Sequence, residues 1–219
     1  MQEYRCFFWD FDGTLYDTYE GIVRAVKKGM DEMGLDHSGI DILSLAKTTL
    51  RQACETLAGH DRADELLSHY FMHAQDEGPE TMKPFPGCEE ALRRVVEAGG
   101  VNYLYTHRNN TALEALKNDG LIDLFRDFIT YEAGFPDKPA PDALNWLIDL
   151  HRLERRECVM IGDRVIDAQA GRNAGIASAL FDPDGYFSES DADYRFVKLE
   201  DIPRKLMEEQ AGPRDSQDE

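Results

Sequence analysis

The sequence predicts an α/β fold, a parallel sheet built from βα units with a helical module inserted after the first strand. Three observations carry this. Short apolar runs alternate with amphipathic stretches, the pattern of parallel strands joined by crossover helices. One stretch, from about Thr18 to about Met82, keeps helical spacing throughout and offers no convincing strand. The residues able to do chemistry fall where the apolar runs end.

The strands read as Tyr4–Trp9, Val101–Thr106, Phe128–Thr130, Cys158–Ile161 and Ala177–Phe181. Between them, Glu89–Glu97 has helical apolar spacing and stops at Gly99-Gly100, and Thr111–Asn118 stops near Gly120. Pro141–His151 opens on a proline, which suits a first helical turn. Asp167–Asn173 leads to Gly175, a C-terminal stop signal. Inside the long helical stretch, Ile22–Met33, Ile42–Leu57 and Arg62–Ala74 are each amphipathic. That stretch is too long for an ordinary connection. It is read as a cap inserted into a core domain, with residues 1–17 and 83–207 forming the core and 18–82 the cap. The Lys83-Pro84-Phe85-Pro86-Gly87 segment marks its exit. Residues 208–219 are acidic and poor in apolar side chains, and are expected to be disordered.

Composition sets limits. A chain of 219 residues, 42% hydrophobic, can bury one domain-sized core with a smaller satellite. A net charge of −19 and no Lys/Arg cluster argue against nucleic acid and anionic membranes as partners. Phosphate recognition on such a chain requires local positive charge from a metal, a lysine or backbone N–H groups. Cys6, Cys54, Cys88 and Cys158 are scattered and form no CxxC pair, so a zinc site is not expected. No apolar run approaches the ~20 residues of a membrane span. The N-terminal residues lack a signal-peptide pattern, so a cytoplasmic setting is the expectation. Monomer and homodimer are both compatible with the pattern.

The most specific segment is Phe7-Phe8-Trp9-Asp10-Phe11-Asp12-Gly13-Thr14-Leu15. On extended backbone, side chains two apart point the same way, so Asp10 and Asp12 are expected to converge at the strand tip. Two such carboxylates require a proton or a cation between them. Three further elements end strands or precede helices, and open parallel sheets bind ligands at the carboxyl ends of their strands. Thr106-His107-Arg108-Asn109 offers a hydroxyl and free N–H groups. Lys138-Pro139 places a compact cation on a stiff segment. Gly162-Asp163-Arg164-Val165-Ile166-Asp167 supplies two more carboxylates, hard oxygen ligands that suit Mg2+.

In this order, Asp10-Phe11-Asp12-Gly13-Thr14-Leu15, Thr106, Lys138-Pro139 and the Gly162–Asp167 run resemble the motifs of the haloacid dehalogenase superfamily of phosphohydrolases. The similarity spans nearly the whole chain and is strongest to phosphoglycolate phosphatase-like and β-phosphoglucomutase-like members. It implies a Rossmann-like three-layer α/β/α core with a small α-helical cap. It also implies a Mg2+-dependent phosphatase acting on a small phosphate ester through an aspartyl-phosphate. By that resemblance Asp10 is the nucleophile and Asp12 the general acid/base. Thr106 holds the transferring phosphoryl group, and Lys138 offsets its charge. Mg2+ is held by Asp10, Asp163, the backbone carbonyl of Asp12 and, directly or through water, Asp167.

His107 and Arg108 depart from the usual continuation of the hydroxyl motif and are candidate substrate contacts. Lys47 is the cap residue picked to meet the substrate's distal group, and Tyr16 is expected to narrow the entrance. Two alternatives stay open: a phosphomutase using the same aspartates, and a non-catalytic binding protein on the same fold. Dehalogenase and phosphonate-cleaving relatives lack the second aspartate that Asp12 supplies.

Overall fold

The computed structural model describes residues 4–74, 78–187 and 191–208. In chain order the elements are β1 (Cys6–Trp9), β2 (Tyr16–Asp17), α1 (Tyr19–Glu32), α2 (Ile42–Ala46), α3 (Leu50–Ala58), α4 (Ala63–Ala74), β3 (Lys83–Pro84), α5 (Cys88–Glu97) and β4 (Val101–Tyr105). They continue as α6 (Thr111–Asn118), β5 (Phe125–Ile129), α7 (Asp142–His151), β6 (Cys158–Gly162), α8 (Val165–Asn173), β7 (Ala177–Phe181), β8 (Tyr194–Phe196) and α9 (Asp201–Glu208).

Six strands form one sheet in the order β5-β4-β1-β6-β7-β8, every neighbouring pair parallel. Strand alternation sorts its two faces. Phe7, Trp9, Leu104, Val159, Ile161 and Phe181 share one apolar cluster with Leu92 of α5, Ala112 of α6 and Ile202 of α9. Cys6, Phe8, Tyr103, Tyr105 and Met160 face the other way, onto Leu144 and Leu147 of α7 and Ala170 of α8. Helices therefore cover both faces, giving the three-layer Rossmann-like core. β1 lies between β4 and β6, so its C-terminal tip opens where the strand order reverses, the place such sheets use for ligands.

Helices α1 to α4 pack on an apolar cluster of their own, including Val26, Met30, Ile42, Cys54, Leu66 and Tyr70. They join the sheet through a two-residue antiparallel pairing, Tyr16 with Pro84 and Asp17 with Lys83. The single helix expected over Ile42–Leu57 is two helices. Thr49 caps α3, its side chain accepting from Gln52 N at 3.1 Å, and a Thr-Thr pair favours such a cap over an unbroken helix.

Other differences are local. β5 starts at Phe125 rather than Phe128, because Arg126 and Asp127 interrupt the apolar pattern of an edge strand. β8 and α9 are additions at the far edge. Tyr16 does not narrow an entrance: it is fully buried, stacks on Phe11 with ring centroids 4.4 Å apart, and donates to Asp119 Oδ2 at 2.6 Å. The tail expected from 208 onward lies outside the described residues from 209. Among the described residues no helix is long and apolar enough to cross a membrane.

Candidate active site

The tips of β1, β4 and β6 carry Asp10, Thr106 and Asp163, all buried. Asp10 continues the β1 ladder for one more bond, its N–H donating to Ile161 O at 2.8 Å. Lys138 lies on the segment before α7 and is itself buried. Its ammonium donates to Asp10 Oδ1 at 2.8 Å, Asp167 Oδ1 at 2.7 Å and Tyr105 O at 2.9 Å. All three of its protons are thereby placed. Burial alone would lower the Lys138 pKa; Asp10 and Asp167 outweigh it and hold the ammonium charged. Asp167 sits in the first turn of α8, where it also accepts from Arg164 N at 3.1 Å. Burial would raise its carboxyl, but Lys138 and Arg164 hold it below the usual range.

Asp10, Asp163 and Asp167 each offer an oxygen, and these oxygens lie within 4.8 Å of one another. Asp10 Oδ2 and Asp163 Oδ1 are buried and meet no hydrogen-bond donor among the described residues. Orphaned carboxylate oxygens in a dry site are costly unless a cation meets them. Burial, opposed by Lys138 and reinforced by Asp167, pushes the Asp10 carboxyl up to about 7. Burial also raises Asp163, with Arg164 and Lys47 pulling it back. This donor set, three hard oxygens with two of them open, fits a Mg2+-class ion.

Asp12 is handled separately. The chain turns immediately after β1, with Phe11 O accepting from Leu15 N and Tyr16 N, both at 3.0 Å. Gly13 at φ +73° makes the turn possible, and a Cβ there would lie 2.4 Å from Asp163 Oδ2. The Asp12 carboxylate therefore does not share Asp10's partners. It accepts from Thr18 Oγ1 at 2.6 Å and from Arg108 Nε at 2.7 Å. Its side chain is not in the carboxylate cluster expected to hold metal.

Thr106 Oγ1 accepts from Arg108 N at 3.0 Å, which leaves its own proton free to be donated. His107 turns to the lysine segment: its Nε2 accepts the Lys138 backbone N–H at 2.8 Å. Burial, with Lys138 and Arg164 adding to it, lowers the His107 pKa to about 3, so the ring is neutral.

Three residues in the site carried no expected role. Tyr19 donates its hydroxyl to Asp163 Oδ2 at 2.7 Å. Arg164 brings its guanidinium within 3.8 Å of Asp10 Oδ2 and Asp163 Oδ1 and 3.9 Å of Asp167 Oδ2. Thr18 holds Asp12 instead of capping α1. The only signal for them was position: Thr18 and Tyr19 open the first cap helix, and Arg164 sits between two motif aspartates. Lys47, picked from the cap, does reach the site, its Nζ 3.2 Å from Asp163 Oδ2 and 4.5 Å from the centre of the Tyr19 ring. A cavity of about 300 Å³ opens between α1, α4 and the hinge, lined among others by Arg24, Tyr70, Lys83 and the two residues that bind Asp12, Thr18 and Arg108.

Comparison with known proteins agrees with this architecture. The model of the haloacid dehalogenase-like hydrolase family matches residues 7–181. A phosphoglycolate phosphatase of Vibrio vulnificus is 29% identical over 196 residues, covering 81% of this chain and 83% of its own. The pyrophosphatase PpaX of Listeria monocytogenes is 25% identical over 210 residues, covering 92% and 96%. A haloacid dehalogenase-like family hydrolase of Streptococcus pneumoniae, 20% identical, superposes with a TM-score of 0.80 over 93% of this chain and 99% of that one, a likeness of fold. The family match runs from β1 through β7 and takes in every strand tip described above, and the chain belongs to the haloacid dehalogenase-like hydrolases.

Proposed function

We propose that this chain is a Mg2+-dependent phosphatase of small phosphate esters, working through a covalent phosphoryl-enzyme on Asp10. The observation that carries the reading is Lys138 bound between Asp10 and Asp167, beside two buried carboxylate oxygens that no donor among the described residues meets. The names of the relatives, a phosphoglycolate phosphatase and a pyrophosphatase, support phosphate release as the reaction class.

Asp10 attacks phosphorus; the Asp10 O–P bond forms as the bond to the leaving oxygen breaks. Asp12 enters protonated on Oδ2, the oxygen that Thr18 and Arg108 leave free, gives that proton to the leaving oxygen, then takes one from the water that hydrolyses the acyl phosphate. Thr18 and Arg108, which hold the Asp12 carboxylate, also line the cavity, and that cavity is the space we assign to the leaving group. The Thr106 hydroxyl and the N–H groups after it receive the phosphoryl oxygens. Lys138 pulls the Asp10 carboxyl back against its burial, favouring the ionised nucleophile, and offsets the oxygens' charge. Asp10, Asp163 and Asp167 would hold Mg2+, which when bound supplies further positive charge to the phosphoryl group. Lys47 and Tyr19, brought from the cap, close the site over Asp163 and exclude bulk water.

The test is phosphate release from p-nitrophenyl phosphate and from a panel of sugar, nucleotide and short-chain acid phosphates, with Mg2+ and with chelator. Mg2+-dependent release that disappears in Asp10→Asn is the expected result. Full activity in Asp10→Asn overturns the covalent step. Isomerised phosphosugar without free phosphate replaces hydrolysis by the mutase reading.

A further inference from the structure

The far end of the helical module gathers three ligand-type side chains that the site above does not use. Glu32 ends α1, and His69 and His73 lie one turn apart on α4, on the same helix face. His69 Nδ1 is 2.6 Å from Glu32 Oε2, and His73 Nε2 is 3.0 Å from Glu32 Oε1. One ligand atom from each residue lies within 4.8 Å of the others. The approach is built in: a Cβ at Gly29 would stand 2.9 Å from His69 Cβ, so a glycine is what lets α1 and α4 close here. Glu32, three residues beyond Gly29, then faces the two rings. The imidazoles are partly buried, with side-chain exposures of 26% and 14%, while Glu32 at 45% leaves an open mouth. His69 Nδ1, the atom that faces Glu32, is itself buried.

We propose that Glu32, His69 and His73 form a second metal site that takes a borderline divalent cation of the zinc class. Two imidazole nitrogens and one carboxylate oxygen suit Zn2+, Co2+ or Ni2+; Mg2+ prefers an all-oxygen shell. Donors about 2.0–2.2 Å from a tetrahedral metal stand about 3.3–3.6 Å apart, so this set closes on an ion with side-chain adjustments on the order of 1 Å. Three protein ligands leave a fourth position to water. The site is distinct from the carboxylate cluster: α1 starts at Tyr19, which touches Asp163, and rises roughly 20 Å before it reaches Glu32. A bound ion ties α1 to α4, the two helices that contribute Ile22 and Tyr70 to the cavity wall.

Chelator-treated full-length protein titrated with Co2+ tests this. Visible d–d bands of a four- or five-coordinate ion are expected, saturating at one equivalent and bleached by Zn2+. They persist in Asp163→Asn and vanish in His69→Gln/His73→Gln, while that double variant keeps its circular dichroism and its p-nitrophenyl phosphate hydrolysis. Zn2+ at about 100 times its Kd should raise the wild-type Tm by about 5–10 °C and leave the double variant unmoved. If the double variant fails to fold, Glu32→Gln, at an exposed helix end, carries the same readout. Absence of the bands in wild type, or their survival in the histidine or glutamate variant, overturns the proposal and leaves a plain ion-pair cluster.

Discussion

Lys47 Nζ lies 3.2 Å from Asp163 Oδ2, so a side chain of the helical module closes onto a carboxylate at the tip of β6. Lys47 sits at the C-terminal end of α2, directly before the break that separates it from α3. Tyr19 and Tyr186 flank the ammonium, with ring centres 4.5 and 5.0 Å away.

Lys47 holds a carboxylate that the proposed Mg2+ also needs. Lys47→Met should therefore lower the Mg2+ concentration for half-maximal activity about threefold or more. If Lys47 meets the substrate's distal anionic group once the ion is bound, KM for such substrates rises about tenfold, the loss of one charged hydrogen bond of about 1.5 kcal/mol. Steady-state kinetics over a Mg2+ series checks both. Unchanged Mg2+ dependence and KM would remove Lys47 from metal and substrate binding alike.

Metal and protons should compete at Asp10. Its carboxyl is pushed up to about 7 by burial, so below that pH a cation must displace a proton to bind. The Tm increase given by a fixed Mg2+ concentration should be larger near pH 8 than near pH 5.5. Asp10→Asn should flatten that difference and cut turnover by at least about 10³-fold. Thermal melts at the two pH values, with and without chelator, decide it. Equal increments in wild type would show that Asp10 is not a ligand.

Strand tips were legible in the sequence because each is an apolar run ending in a side chain that cannot be buried without a purpose: Asp10, Thr106, Asp163. Lys138 was legible from its prolines. The pairing of Lys138 with Asp10 followed from the family resemblance. That of Asp12 with Arg108 did not, because the chain leaves extended backbone at Phe11, directly after β1, and side chains two apart then no longer share a direction. Tyr19 and Arg164 were illegible for another reason. Their contacts depend on how the cap docks on the sheet and where α8 starts, and neither leaves a local pattern. Tyr16 looked like an entrance residue beside the hinge; only Phe11 beneath it explains why it turns into the core.

Asn102 anchors the middle of the sheet. It is buried in β4, accepts the Trp9 indole N–H at 2.8 Å, and donates to Leu92 O at 3.0 Å and Leu124 O at 3.1 Å. Asn102→Leu keeps the volume, strands the buried Trp9 indole N–H and takes a donor from Leu124 O, while Leu92 O keeps its place in the α5 ladder; each unmet group costs about 1–3 kcal/mol. Urea unfolding should show a loss of about 3 kcal/mol or more, with the Mg2+ dependence of surviving activity unchanged. A loss under about 1 kcal/mol would mean that water or repacking satisfies the group.

His107 makes the acid limb of stability specific. Its folded pKa is about 3, lowered by burial and by Lys138 and Arg164, against about 6.5 in the unfolded chain. Between those values the unfolded state binds the extra proton, so this residue's share of stability rises with pH from about 3 to 6.5 and is level above. His107→Gln removes the titration, and its amide oxygen can still accept the Lys138 N–H. The variant should lose less stability than wild type between pH 6.5 and 4 and match it more closely there than at pH 7.5. Urea midpoints across that range test the sign. A steeper acid loss in the variant would mean that His107 is protonated in the folded protein, and that its ring faces the substrate rather than the backbone of Lys138.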